Sequence, residues 1–170
     1  MNAHFSLMAE YNSWANARIF RGAAQLSDEQ YRRDVGAYFK SLHGTLNHLL
    51  TADRIWMHRL TGTGDRPTSL NGILFDDLPS LSAARRSEDE RIASFVQGLD
   101  DARMEGFCEY RTLNGAAQKL SVAEILAHLF NHQTHHRGQA HGILTALGIQ
   151  EPEPMDLLIM LRQRRQGHGT

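Results

Sequence analysis

One unbroken helical run constrains this chain more than any other feature. No proline falls between Ser121 and Leu147, and Ile125, Leu126, Leu129 and Phe130 recur at helical spacing. The pattern predicts one long helix, opened by a Ser121/Glu124 capping box and ended at Gly148, with Pro152 and Pro154 blocking continuation. Within it, E-I-L-A-H-L-F-N-H-Q-T-H-H-R-G-Q (Glu124 to Gln139) carries His128, His132, His135 and His136, four of the ten histidines in the chain. His132 and His136 stand at i and i+4, so they share a face with Cβ atoms roughly 6 Å apart. Two imidazoles there can converge on one ion at about 2.1 Å each. A single histidine is more often a tolerated, half-buried residue, but H-x-x-x-H is the spacing that two ligands on a helix need. His128 and His132 form a second such pair, and His135 lies about 60° round the axis from His132. Spacing therefore leaves open which two bind, and an ion needs a further ligand from elsewhere.

The rest of the chain reads as shorter helices. Met1 to Ala24 sets Phe5, Met8, Tyr11, Ala15, Ile19 and Phe20 on one stripe, an amphipathic helix. Its Tyr11, Asn12, Trp14 and Asn16 form an aromatic and amide cluster read as bundle core and capping, with Trp14 kept as a candidate pocket wall. Ser27 followed by Asp28, Glu29 and Gln30 suggests a capped helical turn. Ser41 caps a second long helix reaching about Leu60, with Leu42, Leu46, Leu49, Leu50, Ile55 and Trp56 as its apolar stripe. His48 lies in its middle and can point inward at the level of the H-x-x-x-H pair, completing three imidazoles. His43 and His58 lie about 140° and about 80° round the axis from it, which reads as a solvated or rim position. Thr61 to Ser80, with Gly62, Gly64, Pro67, Gly72 and Pro79, is a long connection of the kind used as lids or interface segments. Leu81 to Leu99 is a third helix whose run R-R-S-E-D-E-R is expected on a solvated face. Phe107 to Leu120 reads as a β-hairpin with a type I′ turn at Asn114-Gly115. Met155 to Arg165 is a last short helix running into a frayed basic end.

These elements make an all-α, up-and-down-like four-helix bundle. A short β-hairpin is inserted before the fourth helix and a short C-terminal helix follows. The 170 residues suit a single domain spanning 1–170. A net charge of -1 lacks the basic excess that drives phosphate-backbone binding, so nucleic acid is not an expected partner. The one cysteine, Cys108, excludes an intrachain disulfide and fits a reducing compartment. No signal-peptide pattern and no apolar run of about 20 residues is present, so a cytoplasmic location without membrane contact is expected.

Three segments together carry a resemblance. They are Y-N-S-W-A-N-A-R at Tyr11 to Arg18, S-L-H-G-T-L-N-H-L-L-T-A-D-R-I-W at Ser41 to Trp56, and N-H-Q-T-H-H-R-G-Q at Asn131 to Gln139. The chain resembles the DinB-like family of metalloenzymes over nearly its whole length. That resemblance implies a four-helix bundle, an expected homodimer, and one divalent ion held by His48, His132 and His136, with His128 and His135 as neighbours. It leaves activity open, because members include thiol-dependent transferases and an isomerase.

Three neutral imidazoles leave an ion its full charge and at least one open position, the pattern of catalytic sites. The expected cofactor is one divalent transition metal, zinc or nickel first. The residue after His132 is Gln133, where H-E-x-x-H places its glutamate, which argues against a peptidase. Such an ion supports a metal hydroxide attacking an ester or amide, or a metal-held low-molecular-weight thiol attacking a small electrophilic substrate, and the second is the expected chemistry because a thiol needs no strong protein base. The alternatives are a metal-dependent hydrolase and a non-catalytic metal-binding bundle. Asp53 and Arg137 read as an ion pair between two helices, and Asn131, Gln139 or Asp53 as the group that orients a ligand imidazole.

Overall fold

A computed structural model describes residues 2–167. The elements in chain order are α1 (Asn2–Ala23), α2 (Asp28–Arg32), α3 (Leu42–Thr61), α4 (Leu78–Gln97), α5 (Asp101–Glu105), β1 (Phe107–Arg111), β2 (Ala117–Ser121), α6 (Val122–Ala146) and α7 (Leu157–Gly167). The four long helices form the bundle, touching in the ring α1–α4–α3–α6 and back to α1. α1 and α3 thus face each other across the bundle, as do α4 and α6. Reaching the far side takes the long connections that hold α2 and the hairpin.

Local chemistry sets the helix ends. The hydroxyls of Ser27, Ser41 and Ser121 accept from backbone N–H groups of the first turns of α2, α3 and α6, and Ser27 and Ser121 complete capping boxes with Gln30 and Glu124. Asp77 caps α4 in the same way, four residues ahead of the expected start at Leu81. Asp100 caps α5, a turn not expected from the pattern. The hairpin is present, but its turn is not type I′. Arg111 pairs with Ala117, leaving a five-residue loop in which Thr112 O accepts from Gly115 N, and only Gly115 has positive φ (89°). A type I′ turn needs positive φ at both central residues, and Leu113 and Asn114 lack it. The C-terminal arginines are helical through Gly167, with Arg164 3.0 Å from Glu10; the remainder of the expected frayed end lies outside the described residues.

The core has two apolar halves. One gathers Ile19, Phe20, Leu42, Leu46, Leu50, Leu81, Ile143 and Leu144, the other Phe5, Met57, Ile92, Val96, Leu126, Leu129 and Phe130. Between them, at intermediate positions on all four helices, lies a buried polar layer. Arg85 of α4 reaches Asp53 of α3 at 2.8 Å and Asp89 of its own helix at 3.0 Å. Asp89 also accepts from Asn12 and Asn16 of α1, each at 3.0 Å. Arg137 of α6 donates to Asn12, to Asn16 at 3.3 Å and to Gln133 at 3.2 Å, while Gln133 donates to Asp53 at 2.6 Å. The expected Asp53–Arg137 ion pair is therefore replaced. Arg85 pairs with Asp53, and Gln133 stands between Asp53 and Arg137 as donor to one and acceptor from the other. The expected solvated face of α4 is likewise corrected, since Arg85, Glu88 and Asp89 are buried. Desolvation pushes the Asp53 carboxyl up to about 6 against the opposing pull of Arg85 and Gln133.

Removing one member of such a layer leaves its partners buried and uncompensated. Arg85→Ala is expected to lower the unfolding free energy by about 3–5 kcal/mol, read from urea denaturation. A loss below about 1 kcal/mol would show that the layer contributes nothing specific.

Candidate metal centre

The polar layer fixes how α6 sits on α3. Besides Asp53, Gln133 bonds the Leu49 carbonyl at 3.2 Å, so its amide grips α3 one residue from His48 while itself following His132 in sequence. Gln133 is fully buried and faces the bundle interior. Even a glutamate at that position would face away from the histidines, a structural reason beyond residue type why H-E-x-x-H chemistry is absent.

On the adjoining face His48, His132 and His136 come together, each offering a ring nitrogen within 4.8 Å of the others. His48 is buried and the other two are half-buried. The Nε2 atoms of His48 and His132 are 3.1 Å apart, and the His132 and His136 ring centroids 4.4 Å apart. Hydrogen bonds at the outer nitrogens decide the tautomers. His48 Nδ1 lies 2.9 Å from the Leu70 carbonyl, which can only accept, so Nδ1 carries the proton. His136 Nδ1 lies 2.7 Å from Gln139 Oε1, and the Gln139 amide nitrogen is turned to His135 Nε2 at 3.0 Å. In their neutral forms both rings therefore present an unprotonated Nε2, the form that a metal ligand takes. Burial is the main reason that protonation is disfavoured at all three. His132, pressed also by His136 and His48, falls to about 3. The cluster fits a divalent cation by donor type, by convergence and by protonation state.

The surroundings differ in part from expectation. Of the three groups considered for orienting an imidazole, Gln139 bonds the His136 ring, Asp53 is committed to the core layer, and the partner of His48 is a backbone carbonyl. Phe39 stacks on His48 with centroids 3.9 Å apart and an interplanar angle of 20°. Its loop can approach because α3 has Gly44 in its first turn, where a Cβ would collide with the Phe39 carbonyl oxygen. His128 and His135 are exposed neighbours, their rings 5.8 Å from His132 and 4.8 Å from His136. His58 is at the rim, with Nδ1 3.1 Å from Gly64 O. His43, expected near solvent, is buried, its Nε2 at 3.1 Å from the Phe75 carbonyl and its ring against Tyr31. Trp14 does not wall the site. It packs against α7, bonding Gln163 at 3.0 Å, whereas Trp56 touches His128 with ring centroids 5.1 Å apart.

The family model for the DinB family matches residues 1–166. The chain belongs to the DinB family. Protein DinB of Bacillus subtilis (strain 168) is 27% identical, with the match covering 82% of this chain and 83% of that protein. A solved structure of a DinB-like protein from Bacillus cereus ATCC 10987 superposes with a TM-score of 0.61 at 18% identity, over 79% of this chain and 86% of that one, a likeness of fold. No helix of this DinB-family chain is long and apolar enough, among its described residues, to cross a membrane.

The depressed histidine pKa values give a pH signature. A folded pKa of about 3 against an ordinary 6.5 means that, between those values, the unfolded chain binds a proton at His132 that the folded chain refuses. The stability contribution is present above pH 6.5 and is lost as pH falls through that window. The metal-free protein is expected to lose thermal stability as pH drops below 6.5, more steeply than His132→Asn, in differential scanning calorimetry. Equal slopes would count against the desolvated, neutral His132.

Proposed function

We propose that this protein binds one divalent transition metal ion, zinc or nickel, through His48, His132 and His136, and uses it to activate a low-molecular-weight thiol for transfer to a small electrophilic substrate. The observation that carries the reading is the pair of outer hydrogen bonds, from His48 to Leu70 O and from His136 to Gln139, which leave both inner nitrogens unprotonated. A metal held there by His48, His132 and His136 would supply a Lewis acid that lowers the pKa of a thiol toward neutrality. The protein's part is then to orient and to exclude water. Leu70 and Gln139 fix the rings, Phe39 covers His48, and Trp56 with His128 forms the edge of the mouth. In the transfer the thiol would give its proton to solvent water, its sulfur would form a bond to the electrophilic carbon, and a leaving group would depart with its electron pair.

A thiol nucleophile suits a site without a strong base. Its ordinary pKa of about 8.5 lies near neutrality, so coordination alone yields the reactive form. Activating water and then protonating a leaving amine asks for a further acid–base group. The carboxylate nearest in sequence to the ligands, Asp53, is turned into the core.

Two measurements test this reading. His48→Ala and His132→Ala are each expected to abolish stoichiometric metal in elemental analysis of purified protein, while His58→Ala retains it. Full metal content in both ligand variants would sink the site. In the second, metal-loaded protein is assayed with glutathione, bacillithiol, mycothiol and cysteine against a generic electrophile, beside a panel of esters and amides. Conjugation that needs a thiol and stops on chelation is the expected result. Metal-dependent ester or amide turnover without thiol would make it a hydrolase, and silence in both panels a non-catalytic metal-binding bundle.

A further inference from the structure

A second cleft adjoins the metal centre. It has a volume of about 470 Å³ and lies between the C-terminal half of α3, the loop that follows and β1, with Arg59, Arg66, Arg111, His58 and Tyr110 in its walls. Its one acidic residue, Glu109, is held by Lys119 at 2.8 Å. Several guanidinium groups elsewhere pair with a carboxylate, among them Arg18, Arg21, Arg32, Arg54, Arg85 and Arg91. In the cleft, Arg59 and Arg111 reach only backbone carbonyls, of Arg111 at 3.4 Å and Gly115 at 2.9 Å, and Arg66 has no ion pair among the described residues.

Arg59 is more than a solvated rim charge. Its guanidinium lies 4.5 Å from the centre of the Trp56 ring and 4.4 Å from that of Tyr110, clamped by two aromatic groups. The clamp removes water from a cation that already has Arg66 close by, and both burial and Arg66 disfavour its charged form. A half-buried guanidinium held between two rings beside two further arginines suits planar oxyanions, above all carboxylates taken up in pairs of hydrogen bonds. None of the cleft's lining residues is one of the three histidines, but two short links join it to them. Thr68 of its lining is two residues from Leu70, whose carbonyl holds His48, and the Trp56 ring that clamps Arg59 also touches His128 beside His132.

We propose that this cleft binds the carboxylates of a small acidic molecule through Arg59, Arg66 and Arg111. Resting on the thiol-transfer reading above, that molecule is a thiol which itself carries carboxylates, its acidic end in the cleft and its sulfur toward the histidines. The probe is S-methylglutathione, which keeps both carboxylates while its capped sulfur cannot form a thiolate. Calorimetric titration of the purified protein is expected to show saturable binding, weakened on the order of tenfold for each arginine removed in Arg66→Ala and Arg59→Ala, and retained in His132→Asn. Arg66 is exposed, so its variant reports on the cleft even where Arg59→Ala fails to fold. Absence of binding, unchanged affinity in Arg66→Ala, or loss in His132→Asn would each overturn the cleft as the receptor. Binding of inorganic phosphate with succinate and S-methylglutathione both silent would overturn the carboxylate assignment. If S-methylglutathione binds and needs Arg66 while the thiol panel is silent, the cleft stands and the transferase reading falls.

Discussion

Arg85 and Arg137 carry two positive charges into the middle of the bundle, and much of the helix arrangement answers them. Each buried ion costs several kcal/mol in lost hydration unless its geometry is satisfied. Satisfying these two takes Asp53 from α3, Asp89 from α4, Asn12 and Asn16 from α1 and Gln133 from α6. An apolar core tolerates a helix sliding by a turn, because one leucine replaces another. A layer in which every long helix must deliver a particular donor or acceptor at one height does not. The register of α6 against α3 is set there, by Gln133 on Asp53 and on the Leu49 carbonyl.

That register brings His48 to His132 across 84 positions of sequence. The residues flanking the layer on α6, His132 and His136, face one way while Gln133 and Arg137, next to each in sequence, face the other. One helix thereby serves two networks of opposite character. The inner network is charged, closed and committed to the fold; the outer one is neutral and keeps its inner nitrogens unprotonated. Neutrality is maintained by burial, which outweighs the pull of Leu70 and Gln139 toward protonated rings; those two contacts set the tautomers.

How much of this was legible in the sequence follows from how local each signal is. Ser27, Ser41 and Ser121 announced their helices because a cap is settled within four residues. The i, i+4 spacing of His132 and His136 and the mid-helix place of His48 were equally readable. Selecting these three from eight histidines on two helices needed the family resemblance. The charged run of α4 was misread because Arg85, Glu88 and Asp89 look solvated one at a time. Yet they continue the stripe of Leu81, Ile92 and Val96 at helical spacing, and Asn12 and Asn16 repeat it on α1, so the signal was a charged pair in register with an amide pair. His43 was misplaced because angle round an axis says nothing of a loop that folds back, here through the Phe75 carbonyl. The Leu70 carbonyl was invisible in principle, since a backbone acceptor leaves no trace in residue type.

The buried layer also decides when the site comes into being. A small zinc module meets its ion as a disordered chain and folds around it, so loss of the ion is loss of the module. Here the imidazoles converge only once α3 and α6 have docked, and what docks them is a set of hydrogen bonds and ion pairs that contains no metal ligand. Shape precedes loading. A chain whose imidazoles already converge is a finished receptor, so the identity of any ion it took up would be governed by supply and exchange over its lifetime rather than fixed at its synthesis.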